Sequence, residues 1–229
     1  MKHLPDADSL VAPLARAAGD QLTAVLGFGS RVTGASPDAR SAWDLFVVVE
    51  DYRTFYERIA PAYGWRRSAA SFARLNRRLP PNVTHLVDPD GPGAKLFIIS
   101  EEDLARRLAP GAVDHFCRAR LMQHVETLHV RDEETRKRLD ARLSTLRHSI
   151  VGWLRPFLPE EFSAEDFCRR LLQVSYRTEV RPESGDRAGE VFSVQRASLL
   201  ALYEPILEEA AETGVLVRRG DAYAVAEPV

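Results

Sequence analysis

Gly29-Ser30-Arg31-Val32-Thr33-Gly34, followed by Ser41-Ala42-Trp43-Asp44-Leu45-Phe46-Val47-Val48-Val49-Glu50-Asp51, decides the reading of this chain. An apolar run, Ala24 to Leu26, enters a Gly-Ser turn. A short loop rich in Gly, Ser, Pro and Asp then leads to a second apolar strand, which opens with a carboxylate. Glycine lets the backbone come close to a ligand. Successive backbone N–H groups beside a serine hydroxyl cradle phosphate oxygens, and a carboxylate suits a hard cation. Asp44, a carboxylate opening a buried-looking strand, is costly there unless a metal or a donor meets it, so it reads as a metal ligand. A plain hairpin turn running into a buried strand has the same short pattern.

The chain has 229 residues, enough for one large or two small domains with a real core. Hydrophobic content of 45% and charged content of 28% are those of an ordinary globular protein. Thirty-one basic and 33 acidic residues leave a net charge of −2, so no global basic field recruits nucleic acid. Cys117 and Cys168 both fall in helix-like stretches and fit reduced thiols of a cytoplasmic protein better than a disulfide framework. No Cys/His pairs stand at zinc spacing. Met1 to Pro5 lacks the apolar stretch of a signal peptide, and no apolar run is long enough to span a bilayer. Membrane contact is therefore expected to be peripheral, at the inner face.

Periodicity predicts a helix over Ser9–Ala18, strands over Ala24–Phe28 and Leu45–Val49, and a helix over Tyr52–Ala60 stopped at Pro61. A basic helix is expected over Trp65–Leu79. Strands are expected at Val83–Val87 and Lys95–Ile99, joined across the turn-rich Asp88-Pro89-Asp90-Gly91-Pro92-Gly93. Beyond Ser100 the period changes to helical, over Glu101–Leu108, Val113–Gln123, Asp132–Phe157, Ala164–Tyr176 and Ser193–Glu209. Ser163 with Asp166 reads as a capping box. A hairpin turning near Gly220-Asp221 closes the chain. The fold class is thus α+β, a mixed sheet with helices over residues 1–105, then a helical, winged-helix-like domain over 106–229.

The Gly-Ser turn and acid-opened strand resemble the nucleotidyltransferase core of DNA polymerase beta. More of the chain resembles the mitochondrial translocator assembly and maintenance protein family of phosphatidate cytidylyltransferases and its bacterial relatives. Phe28-Gly29-Ser30 with Trp43 to Asp51 matches the family's Tyr-Gly-Ser and its strand opened and closed by acids. Lys95-Leu96-Phe97-Ile98-Ile99-Ser100, then Ala119-Arg120-Leu121, matches Lys-Tyr-Gly-Val-Ile-Ser and Ala-Gly-Arg-Leu. Leu158-Pro159-Glu160-Glu161-Phe162-Ser163-Ala164-Glu165-Asp166, then Ser175-Tyr176 and Arg181, matches Leu-Pro-Glu-x-Phe-Ser-x-Glu-Asp-Leu, Leu-Ser-Tyr and a following Arg. The likeness spans roughly residues 25 to 210. It implies transfer of the cytidylyl group of CTP to phosphatidic acid with Mg²⁺, giving CDP-diacylglycerol and pyrophosphate. The resemblance implies that Asp44, Lys95 and Arg120 are catalytic, with a solvated strand end as the alternative for Lys95. It implies that Gly29, Ser30, Tyr176 and Arg181 bind nucleotide, with domain packing as the alternative for Tyr176 and Arg181; Arg31, beside the Gly-Ser turn, is a further candidate nucleotide contact. There are departures. Ala42 replaces the first acid of Asp-x-Asp, Arg31 replaces a glycine, Gln123-His124 replaces Lys-Pro, and the family's C-terminal amphipathic helix has no counterpart before Val229. They motivate two rival readings, a soluble acceptor and a catalytically silent nucleotide-binding relative.

Single residues carry further expectations. Asp88 is either a second metal ligand or a turn-forming Asp. His85, on the strand face of Val83 and Val87, reads as a core histidine, with an active-site role as the alternative. Arg120 reads as a phosphate clamp because a guanidinium suits bidentate contacts, with Arg118 pointing elsewhere and exposed. Arg66, Arg67, Arg74, Arg77 and Arg78, with no acid among them, read as facing an anionic membrane surface. The stripe of Trp65, Phe72, Leu75 and Leu79 packs either on the sheet or on lipid.

Overall fold

The computed structural model describes residues 5–34, 41–87, 93–177 and 187–226. It is α+β, and its residues group into two units. One runs up to Arg107 and takes back Val125–Arg142; the other comprises Leu108–His124 and the chain from Leu143 onward. A single boundary near residue 105 was expected, and the departure has one cause. Residues Glu126–Val130 form a strand, β5, absent from the periodicity reading, which pairs antiparallel with β1 (Leu22–Phe28). Its side chains are all half-buried, so no alternation marks it.

In the first unit a five-stranded mixed sheet has the order β3-β4-β2-β1-β5. Here β2 is Trp43–Val49, β3 Asn82–Leu86 and β4 Ala94–Ser100. Only β2 and β4 run parallel; the other pairs are antiparallel. A parallel pair needs a long crossover, and here it carries the helices α3 (Tyr52–Ala62) and α4 (Ala69–Arg78) and the edge strand β3. Trp43, Leu45 and Val47 of β2 and Leu96 and Ile98 of β4 pack with Leu10 and Leu14 of α1 (Pro5–Ala18), Phe55, Tyr56 and Ile59 of α3 and Ala73 of α4. Strand side chains alternate between faces. Asp44, Phe46, Lys95 and Phe97 therefore lie on the opposite face, where Phe28, Phe46 and Phe97 cluster with centroids 5.0 to 5.6 Å apart.

The acids that close β2 serve the fold. The Asp51 side chain accepts the Thr54 N–H at 2.9 Å and caps α3, which holds its carboxyl below the usual range. Glu50 pairs with Arg131 at 2.8 Å. Helix α3 passes Pro61 by one residue, because a proline in the last turn sacrifices a single hydrogen bond. It ends in a Schellman motif: Trp65 N–H reaches Ala60 C=O at 2.9 Å, and Gly64 N–H reaches Pro61 C=O at 3.3 Å, with Gly64 at φ 63°. That motif excludes Trp65 from the basic helix, which starts only after the Ser68 cap.

Asn76 ties α4 to the sheet. Fully buried, it donates from Nδ2 to the Ile98 carbonyl at 2.7 Å and accepts from the Tyr56 hydroxyl. Asn76→Leu is expected to destabilise by about 1–3 kcal/mol, because a strand carbonyl and a phenol lose their partners together. Chemical denaturation checks this: an unchanged midpoint would remove Asn76 from the fold's support.

The second unit holds α6 (His115–Leu121), the later part of α7 (Glu133–Leu154), α8 (Ala164–Arg177), α9 (Arg187–Glu212) and a small antiparallel sheet of order β6-β8-β7. Strands β7 (Leu216–Arg219) and β8 (Ala222–Val225) form the expected hairpin, with Gly220 at φ 63°, and β6 is Glu161–Phe162. The expected capping box is present: Asp166 N–H donates to Ser163 Oγ at 3.1 Å, and Ser163 N–H donates to Asp166 Oδ2 at 3.0 Å. Cys117 and Cys168 are buried and not joined in a disulfide, and burial pushes the Cys168 thiol up to about 12. No helix among the described residues is long and apolar enough to cross a membrane.

Candidate functional site

The apolar strand β1 delivers the chain to Gly29, and the turn that follows is compact. Val32 and Thr33 N–H both return to the Gly29 carbonyl, at 3.2 and 3.1 Å, forming the one-turn helix α2 (Ser30–Thr33). Gly29 has φ 78° and ψ −161°, a region that is essentially glycine-only. A Cβ built there would lie 2.9 Å from Asp44 Oδ2. Position 29 is therefore glycine for two independent reasons, backbone conformation and the approach of the Asp44 carboxylate.

Asp44 faces Phe28 across the β1–β2 ladder and Lys95 across the β2–β4 ladder. Lys95 Nζ stands 3.6 Å from Asp44 Oδ1, and both side chains are partly exposed, 34% and 25%. The structure thus joins Gly29, Asp44 and Lys95 in one place. Beneath them the Phe28, Phe46 and Phe97 cluster supplies an apolar floor.

Arg31 is held elsewhere. Its guanidinium lies 5.5 Å from the Trp43 ring centroid, and its Nε donates to the Ser41 carbonyl. Trp43 belongs to the helix-covered face, opposite Asp44. Arg31 therefore braces the loop entering β2.

Arg118, expected to be exposed, is buried. Arg118 is 2% exposed, donating to the Ala109 carbonyl at 2.9 Å and to Ser149 Oγ at 3.0 Å. Burial lowers its pKa, and its Nε has no partner. Arg120 is half-buried, with its guanidinium 6.0 Å from the Phe116 ring and 5.9 Å from the Tyr176 ring. Arg120 and Tyr176, which the resemblance draws from two separate blocks, are thus brought together within the second unit. Asp88 and Arg181 lie outside the described residues.

Of the basic segment, Arg66, Arg67, Arg74, Arg77 and Arg78 are all exposed, and Arg77 also pairs with Asp51 at 3.5 Å. Arg66 and Arg67 precede the helix, and Arg67 lies 5.8 Å from the Phe72 ring. The apolar stripe divides: Phe72 stacks on Tyr56 at 4.7 Å and Trp65 lies tilted against it at 6.1 Å, whereas Leu79 is 68% exposed. The core takes Phe72 and Trp65 and leaves Leu79 and the five arginines outward.

His85 is not a core histidine. Leu86 points into the core, and the face of Val83 and His85 is exposed. Valines on a strand read as inward by composition; on an edge strand only the pairing tells which face is covered. That pairing sets His85 opposite Lys95, a neighbour that sequence reasoning missed.

Among the described residues no group of three or more His, Cys, Asp or Glu is placed to hold a metal. Among the described residues the site offers one carboxylate flanked by an ammonium, short of a complete divalent-cation site. It does fit Mg²⁺ arriving on a triphosphate, where phosphates and water supply most ligands. A pocket of about 180 Å³ in the second unit, between His148 and Glu209 of α7 and α9, contains none of the predicted site residues. There the Ser144 carbonyl, together with Glu209 at 3.0 Å, raises the His148 pKa against the effect of burial.

The fold and the site define an α+β protein whose mixed sheet presents a glycine turn, a carboxylate and a lysine at one strand end. The chain matches no protein-family model and no curated protein.

Proposed function

We propose that the first unit is a polymerase-beta-like nucleotidyltransferase domain, and that the chain transfers the cytidylyl group of CTP to phosphatidic acid. The supporting observation is the convergence of Gly29 and Lys95 on Asp44, two strands and a turn brought to one point. The choice of cytosine, of the lipid acceptor and of a winged-helix-like second domain rests on the family resemblance.

In this reading the Gly29–Ser30 turn holds the β and γ phosphates of the substrate. The Asp44 carboxylate would hold the Mg²⁺ of Mg·CTP, which would supply neutralisation of phosphate charge. Lys95 carries a positive charge to the developing negative charge, an electrostatic role that needs no covalent nucleophile. An acceptor phosphate oxygen bonds to the α phosphorus, the α–β bridging P–O bond breaks, and pyrophosphate leaves. A phosphate monoester is already anionic at neutral pH, so no general base is required. The five exposed arginines suit an anionic lipid surface, each contributing about 1 kcal/mol near it.

One observation favours a second reading. Ala42 and the Asp44–Lys95 pair leave a single, partly neutralised acid, as in a nucleotide-binding protein without turnover. Pyrophosphate release across four nucleoside triphosphates, with and without phosphatidic-acid vesicles, separates the two. Release with CTP only when the vesicles are present is expected. CTP binding without release from any combination would establish the silent reading instead.

A further inference from the structure

His85 extends the site by one strand. On β3 it is the register partner of Lys95 on β4, which is the register partner of Asp44 on β2. Leu86, Leu96 and Leu45, their chain neighbours, all pack into the helix-covered core, so His85, Lys95 and Asp44 share the other face. Directly opposed residues on neighbouring strands have Cβ atoms about 4.5–5.5 Å apart. The three side chains therefore form one row: carboxylate, ammonium, imidazole. Exposure rises along it, from the 25% of Asp44 through the 34% of Lys95 to the exposed His85. Among the described residues the row is open beyond His85, because β3 is the edge of the sheet. Val83 and Val87 flank the imidazole in sequence and are 46% and 88% exposed.

We infer that His85 is a ligand-binding residue which, together with Lys95, holds the phosphate group of the acceptor; this rests on the nucleotidyl-transfer reading above. The chemistry follows from the order of the row. An ammonium and an imidazole side by side offer N–H donors to an anion, while the one carboxylate stands at the far end. A hydroxyl acceptor would need a base, and the only acid in the row is already paired with Lys95. A phosphate monoester needs donors and no base, which is what this end of the row supplies. The exposed valines beside His85 provide apolar surface for an acceptor that carries a hydrocarbon part. A small phosphate ester would use the two nitrogen donors alone.

The test uses the full chain, His85→Ala and His85→Gln, with CTP affinity measured in parallel. Titration with glycerol 3-phosphate and with inorganic phosphate forms one arm. Sedimentation with phosphatidic-acid vesicles forms the other, with phosphatidylserine vesicles as a charged control lacking a terminal phosphate. His85→Ala is expected to weaken binding of the phosphate probe by about tenfold or more, the effect of one hydrogen bond to a charged group. His85→Gln, which keeps an N–H donor, should recover part of it, and CTP affinity should stay at the parental value in both. Binding confined to phosphatidic-acid vesicles identifies a lipid phosphate, and equal binding of glycerol 3-phosphate identifies a free ester. The inference is overturned if the parent binds CTP but no phosphate probe, if His85→Ala binds the probe as the parent does, or if CTP is lost in step with it. If the probe is lost in His85→Ala while no nucleotide binds even the parent, the phosphate site stands and the transfer reading falls.

Discussion

Asp44→Asn is expected to lower pyrophosphate release by about a thousandfold or more while leaving the protein folded. The substitution keeps the shape of the side chain and removes its charge. Stabilisation of phosphate charge by a bound cation amounts to several kcal/mol, and each 1.4 kcal/mol, roughly, is tenfold in rate. The cost to the fold is small, because Asp44 and Lys95 are both partly exposed and 3.6 Å apart. Pairs of that kind contribute about 0–1 kcal/mol. A circular-dichroism melt close to the parent's, combined with loss of release, is the expected pair of results. A folded Asp44→Asn protein with parental turnover would end the assignment of Asp44 to the chemistry.

Gly29→Ala should injure both fold and site. Its φ of 78° and ψ of −161° cost a non-glycine residue about 1–3 kcal/mol. The new methyl would also sit 2.9 Å from Asp44 Oδ2 and push that carboxylate away from the turn. A lower melting temperature and CTP binding weakened by about tenfold or more are expected, the latter because positioned contacts to charged groups are strong. Gly34 provides the control. It has φ 74°, yet a Cβ there meets nothing within 4 Å. Gly34→Ala should therefore lose stability without comparable loss of nucleotide. Equal CTP affinity in Gly29→Ala and the parent would mean that the turn is not the phosphate cradle.

Much of the first unit was legible because its signals are local. The apolar runs ending at Phe28 and Val49 became β1 and β2, the Gly-Ser pair became the turn between them, and Asp44 opens β2 one residue after Trp43. Ser163 and Asp166 formed their capping box because both partners lie within one turn of helix. Element ends were less legible where a motif intervened, as the Schellman turn at Gly64 did by separating Trp65 from the basic helix.

Residues two apart on a helix point in different directions, but the sequence does not say which direction is covered. Arg118 was therefore expected outside and is buried, whereas Arg120 lies between two aromatic rings. The same limit applied to His85, whose flanking valines implied a covered face that the edge position of β3 leaves open.

By itself, then, the sequence determined where most of the strands, turns and caps form, β5 excepted, because backbone conformation, hydrophobic period and capping act over a few residues. It also determined that Gly29, Ser30 and Asp44 belong to neighbouring ends of β1 and β2, since only a short loop separates them. The tertiary structure alone decided that β5 returns to the first sheet, that Lys95 meets Asp44, and that His85 stands next in the row. Those contacts depend on strand register and on which face of each element is covered, and both are set by the summed packing of residues distant in the chain.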